Sequence, residues 1–204
     1  MDAAAIPFRE RSAIAEIFTF WFGNAQAEGV SYVQQRRLWF TKDPEVDAQI
    51  RDRFLPLYQQ AVTGKLEHWQ QSPQGCLALL LLLDQFPRNM FRNTPQAFAT
   101  DLQALAIAET AIDQGFDQAV LPIQRLFFYL PLEHCEDRTR QQQSVNLFRQ
   151  LHAEAEEFAD TLDYAQRHQA VIDRFGRFPH RNIILNRPST VEELKFLQQP
   201  GSSF

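Results

Sequence analysis

The sequence predicts an all-α protein, a compact multi-helix array in a single all-helical domain spanning residues 1–204. Three observations predict it. Apolar residues recur at helical spacing along almost the whole chain, the alternation of half-buried strands persists nowhere, and 7 glycines are too few for a turn-dense β-sandwich.

Each element has its own signal. In the first, Ile14, Ile17, Phe18, Trp21 and Phe22 repeat on one helical face and Gly23 follows as a stop, so the aromatic end should be buried. Asp43-Pro44 opens the second, because aspartate caps free N–H groups and proline at the first helical position has no use for its missing donor. Pro56 predicts a kink or break before Val62-Thr63-Gly64, since an internal proline removes a hydrogen bond and collides with the preceding turn. A short turn around Leu66 and Trp69 leads to the helix containing CLALLLLLDQF, apolar on all sides and therefore central, which should end at Pro87.

Thr94-Pro95 repeats the cap-plus-proline start and should open a helix through Leu102, Leu105, Ala106 and Ile112 to Gly115. A further apolar segment runs through Leu126, Phe127, Phe128 and Leu130 to Pro131. Glu136 to Phe158 reads as one amphipathic helix with Val145, Phe148, Leu151 and Ala155 on its apolar face, and another covers about Asp160 to Phe175, stopping at Gly176. The last starts at Ser189 or Thr190, each with a glutamate three residues later (Glu192 or Glu193), the pattern of a capping box.

Composition narrows the function classes. Eighteen phenylalanines against 4 tyrosines and 3 tryptophans predict a core rich in aromatic rings. A net charge of -5 offers no general attraction for nucleic acid. The longest apolar run, Cys76 to Leu83, is far below the roughly 18 residues of a membrane span, and the first residues lack the charged head and cleavage site of a secretory signal. Cys76 and Cys135 form no disulfide framework, so a cytoplasmic protein with free thiols is expected. No phosphate-cradling glycine loop, GxSxG elbow, HExxH pair or repeated CxxC is present, so no cofactor and no metal are expected.

The polar motifs are concentrated. Phe86-Pro87-Arg88-Asn89 and Phe178-Pro179-His180-Arg181-Asn182 echo each other. Proline disfavours helical geometry in the residue before it, so each phenylalanine should anchor a corner from which Arg and Asn project. A third polar corner, Pro131 to Asp137, should lie between two helices. These segments, with TFWFG, LWF and STVEELKFL, resemble the uncharacterised bacterial family catalogued as domain of unknown function nine-two-four. The resemblance covers nearly the whole chain in several ordered motifs. Cys135 stands where similar proteins often have serine, and Asn186 where glycine is usual. The resemblance implies an all-α fold like that of tetratricopeptide-repeat proteins, although no 34-residue period is visible, and it implies no established activity.

Asp84, in the last turn of a buried helix, opposes the carbonyl end of the helix dipole and needs a partner; Arg88, Arg177 and Arg181 are candidates. One reading is a polar knot that fastens helix ends. Another is a binding site for a small anion or a peptide carboxylate built from Asp84, Arg88, Asn89, Arg177, His180, Arg181 and Asn182. Arg177, Arg181 and Arg187 cluster near the start of the last helix, where sulfate or phosphate would be attracted. A third reading is an enzyme of hydrolase type, with His134 or His180 as the acid–base, Glu133 beside it and arginines holding an anionic substrate. A purely structural oligomer is a fourth, favoured by an exposed aromatic patch. Glu133, Glu136 and Asp137 read as a solvated helix start, His168 as a structural or surface histidine, and Cys135 as a poor nucleophile because adjacent side chains seldom face each other.

Overall fold

A computed structural model describes residues 7–23 and 39–203. The first residues, read above for a leader, and Leu38 of the LWF motif lie outside them. Among the described residues there are helices and turns and no strand.

Helix α1 (Phe8–Phe22) ends at Gly23 as expected and buries Ile14, Ile17, Trp21 and Phe22. Helix α2 (Pro44–Val62) starts under the Asp43 cap, whose carboxylate accepts the Glu45 and Val46 N–H groups. It runs through Pro56 without the expected break. Asp52 and Pro56 both lie on the exposed face, so the carbonyl that loses its donor is on the water side. A 3-10 turn, Glu67–Gln71, buries Trp69.

Ser72 then caps α3 (Pro73–Leu80), and the chain is buried continuously from residue 75 to residue 87. The helical path does not end at Pro87. It widens into a π turn, Leu81–Gln85, and continues as α4 (Phe86–Met90). The Phe86 N–H reaches back five residues to the Leu81 carbonyl. Pro87 has no N–H to offer Leu83, and the Leu83 carbonyl accepts the Thr100 hydroxyl at 2.5 Å instead.

The helix expected from Thr94 is split. Thr94 gives its hydroxyl to the Phe91 carbonyl at 2.8 Å, a 3-10 turn covers Pro95–Phe98, and α5 (Asp101–Asp113) begins after Thr100. Its buried face is Ala104, Ile107, Ala108 and Ala111, whereas Leu102 is 80% exposed, contrary to the apolar face expected of it. Helix α6 (Pro122–Glu133) carries on past Pro131, because the His134 N–H still closes the last turn on the Leu130 carbonyl at 2.8 Å.

Asp137 caps α7 (Arg138–Glu154), and an extended Ala155 with a 3-10 turn at Glu156–Phe158 divides the single helix expected over this stretch. Helix α8 (Ala159–Phe175) stops at Gly176, whose φ of 68° is the left-handed conformation that favours glycine. In the final helix, α9 (Val191–Leu197), Thr190 and Glu193 form the capping box: the Glu193 N–H donates to Thr190 Oγ1 at 3.2 Å and the Thr190 N–H to Glu193 Oε2 at 2.7 Å.

Successive helices pack on one another, α6 against α5, α7 against α6 and α8 against α7, with α3 contacting α5 and α6. The core is aromatic as composition predicted: the Phe127 ring lies 4.9 Å from Trp39 and 5.9 Å from Trp21, and Phe86 stacks on Phe54 at 4.9 Å. A smaller apolar cluster of Val171, Ile172 and Phe178, with Phe175 and Phe196 against it, anchors the C-terminal segment. Both cysteines are free, Cys76 being buried in α3, and no helix among the described residues is long and apolar enough to cross a membrane.

The Thr100 hydroxyl is the replacement donor for a carbonyl that Pro87 leaves bare in the core. Thr100→Val keeps the shape and removes the donor, and should destabilise by about 1–3 kcal/mol, while Thr100→Ser stays near wild type. Urea unfolding measures both; a Val variant with an unchanged midpoint would show that the carbonyl needs no partner.

Candidate functional site

Asp84 sits in the π turn and is 1% exposed. Its Oδ1 accepts Nδ1 of His134 at 2.7 Å and Nη2 of Arg88 at 3.1 Å, and its Oδ2 accepts the Gln85 amide at 2.5 Å. Burial alone would raise the pKa of this carboxyl group, but the His134 and Arg88 partners outweigh it and hold the group well below the usual carboxylate range. For His134, burial and the Arg88 cation prevail over the pull of Asp84 and lower the pKa. The pair is therefore an ionised Asp84 with a neutral imidazole that donates Nδ1–H, which leaves Nε2 as the basic nitrogen.

Arg88 also donates to Asp101 Oδ1 at 3.0 Å, and Asp101 Oδ2 accepts Nη1 of Arg181 at 3.3 Å. Four charges thus alternate along one row, Asp84, Arg88, Asp101 and Arg181. Arg181 is 7% exposed, and its guanidinium lies 4.7 Å from the Phe98 ring and 4.6 Å from the Phe178 ring. Burial and the neighbouring Arg88 lower its pKa to about 10, so it stays a cation at neutral pH. The contact with Asp101 is its one hydrogen bond among the described residues, and its Nε is buried without a partner.

Glu133 is not on a solvated helix start. It closes α6, is 3% exposed, and its pKa is pushed up to about 8 by burial and by the Asp84 charge, which keeps it protonated at neutral pH. Its Oε1 lies 3.2 Å from Nδ1 of His168, which donates to the Tyr164 carbonyl at 2.8 Å; burial first of all holds His168 neutral. His180 packs 5.7 Å from the Phe178 ring and is brought down to about 4 by burial and Arg181. Of the acidic run, Asp137 does cap α7, while Glu136 accepts the Phe178 N–H at 2.8 Å and pairs with Arg187 at 2.6 Å.

His134 and Arg181 meet at a cleft of about 170 Å³, whose lining also includes Asp101, Glu136 and Cys135, with Leu102, Leu105 and Pro131 as its apolar part. Asp84 stands behind His134. Other expected residues are engaged elsewhere. Asn89 donates to Asp47 at 2.8 Å, where Arg92 also binds, and ties α4 to α2. Arg177 grips Glu193 through two hydrogen bonds of 2.6 and 2.9 Å, and Asn182 donates to Ser189 and accepts from Arg187. Of the arginine cluster near α9, Arg177 is thus matched by Glu193 and Arg187 by Glu136, while Arg181 turns to Asp101. The two FP corners differ as well, since Phe86 is helical (φ -61°, ψ -35°) and Phe178 extended (φ -88°, ψ 107°).

Sequence reading missed Asp101, whereas His168 is the structural histidine of its two readings, buried and bonded to the Tyr164 carbonyl. An acid in the first turn of a helix is the ordinary complement of a dipole, and nothing in the sequence marked this one as a bridge between two arginines. A larger hollow of about 310 Å³ beside Phe18 and Phe22 has no ionisable side chain in its lining, whereas the smaller cleft is lined by His134, Arg181, Asp101 and Glu136. Among the described residues no three His, Cys, Asp or Glu side chains gather as a metal-binding group.

The sequence model of a bacterial family of proteins of unknown function, DUF924, matches residues 17–201. The fold is similar to the solved structure of a protein of unknown function from Agrobacterium tumefaciens, with 40% identity, a TM-score of 0.79, and coverage of 92% of this chain and 98% of that one. No curated protein matches. Asn186, at the position where glycine is usual, has a φ of 53°, a left-handed conformation that asparagine tolerates better than other side chains do.

Removing the Asp84 carboxylate leaves buried His134 Nδ1 without its acceptor and Arg88 with Asp101 alone, and Asp84→Ala should cost about 3–5 kcal/mol in urea unfolding; a wild-type midpoint would place the carboxylate in water. Glu133 predicts a pH dependence. Its folded pKa, about 8, exceeds the 4.5 expected when unfolded, so the folded state holds the extra proton and stability falls as pH rises between those values. A single group changes stability by up to about 1.4 kcal/mol per pH unit. Glu133→Gln should therefore gain on wild type from pH 5.5 to 7.5, and parallel profiles would refute the buried, protonated acid.

Proposed function

Since the chain belongs to DUF924, a bacterial family of unknown function, we propose its function from its own cleft: it binds a small monoanionic carboxylate that carries an apolar group. Arg181 is the anchor of this reading. A guanidinium has five N–H donors, and this one, 7% exposed, makes one hydrogen bond among the described residues, at 3.3 Å. Buried donors without partners are costly, and a carboxylate can take two of them side by side.

The lining supports a monoanion over a dianion. Asp101 and Glu136 flank Arg181 in the cleft, and Arg88 and Arg187 are held by Asp84, Asp101 and Glu136, so a phosphate dianion would meet two carboxylates and one available cation. Leu102, 80% exposed at the edge of the cleft, and Leu105 offer apolar surface to the rest of the ligand. A free peptide C-terminus with an apolar last residue satisfies the same description.

Calorimetry and thermal shift with 4-phenylbutyrate test the reading, because a ligand of the native state raises its stability by mass action. Binding should weaken about 10-fold to 100-fold in Arg181→Met, the range of a charge-assisted hydrogen bond, and inorganic phosphate should bind less well than 4-phenylbutyrate. Affinity that survives Arg181→Met unchanged would sink the proposal, as would the absence of binding at millimolar ligand.

A further inference from the structure

We propose that the cleft is also a catalytic site, in which His134 Nε2 acts as general base to a water molecule that hydrolyses a neutral ester or amide, and Arg181 stabilises the oxyanion. This rests on the binding reading, with the bound carboxylate now the product of the reaction.

Three observations carry it. His134 is among the residues that line the cleft and its Nδ1 is committed to Asp84 at 2.7 Å, so a carboxylate fixes its tautomer and orientation and Nε2 is the nitrogen left for chemistry. Asp84 itself is buried and paired with Arg88, so its charge orients the imidazole without pulling a proton onto it. Arg181, in the same lining, has the unused donors that a carbonyl oxygen needs as negative charge builds on it.

The other groups point to water as the nucleophile. The lining contains no serine or threonine, and burial keeps the Cys135 thiol above its ordinary pKa and hence protonated. His180, already at about 4, is too weak a base at neutral pH and does not line the cleft. In the reaction His134 Nε2 takes a proton from water as the oxygen bonds to the acyl carbon, and the carbonyl electron pair moves to the oxygen facing Arg181. That pair returns as the bond to the leaving group breaks, and Nε2–H gives its proton to the departing oxygen or nitrogen. The acid so formed gives up its remaining proton to solvent, and the product carboxylate remains on the guanidinium, with its apolar group against Leu102 and Leu105. A neutral substrate suits a cleft flanked by Asp101 and Glu136.

The test is hydrolysis of 4-nitrophenyl 4-phenylbutyrate by the full chain. His134→Gln should lower kcat about 100-fold or more with little change in KM, the usual contribution of a general base. Free 4-phenylbutyrate should inhibit competitively at the concentration at which it binds. Leu102→Glu, at an exposed position where folding is not at stake, should raise KM several-fold. Hydrolysis equally fast in folded His134→Gln, non-competitive inhibition, a KM untouched by Leu102→Glu, or no hydrolysis above background would each overturn the proposal. If 4-phenylbutyrate still binds in that event, the binding reading survives alone; if it does not, both fall.

Discussion

A carboxylate inside a leucine-rich helix is the constraint from which much of this architecture follows. The run from Cys76 to Leu83 is buried on every side, and Asp84 enters the interior with it. An unpaired charge there would be prohibitive. Arg88, one turn further along, meets it from the same helical path, and His134 meets it from the end of α6, which fixes two segments relative to each other. Arg88 then reaches Asp101 at the start of α5, and Asp101 reaches Arg181 near the C-terminal cluster. Compensation of one charge therefore orders four separate parts of the chain.

Much of the fold was legible because its signals are local. Gly23, Asp43-Pro44, Gly176 and the Thr190–Glu193 box end or begin helices where the residue chemistry says they should. Three prolines did not break the helical path where a break was expected, and for three different reasons. Pro56 loses its hydrogen bond on the water side, Pro87 lies just beyond a π turn and the Leu83 carbonyl that it leaves bare finds Thr100, and Pro131 is followed by a residue that closes the final turn. Each remedy depends on what surrounds the proline in space. Leu102 shows the converse limit, since helical periodicity alone cannot tell an apolar residue of the core from one beside a cleft.

Of the candidate site, the residue types were legible and their grouping only partly so. Asp84 with Arg88 follows from four-residue spacing on one helical path. The meeting of Asp84 with His134 spans 50 positions and left no trace in the sequence. Arg177, Asn89 and Asn182 sit in motifs as distinctive as that of Arg181, yet they pair with Glu193, Asp47 and Ser189. The direction in which a side chain leaves an extended or 3-10 segment decides such pairings, and it depends on the backbone path. Glu133 was misplaced for a related reason: once α6 continued past Pro131, its side chain belonged to the helix and turned inward.

The π turn at Leu81–Gln85 also sets an angular phase. One extra residue in a helical turn rotates everything after it by about 100° relative to an uninterrupted α-helix. The α4 residues consequently present Asn89 to α2 and Arg88 to α5 while Phe86 and Met90 remain buried. An unbroken α-helix of the same composition would offer a different set of faces to those neighbours. The insertion works like a key cut to one offset, so that shortening this stretch by a single residue would preserve helicity and dissolve the whole pattern of partnerships beyond it.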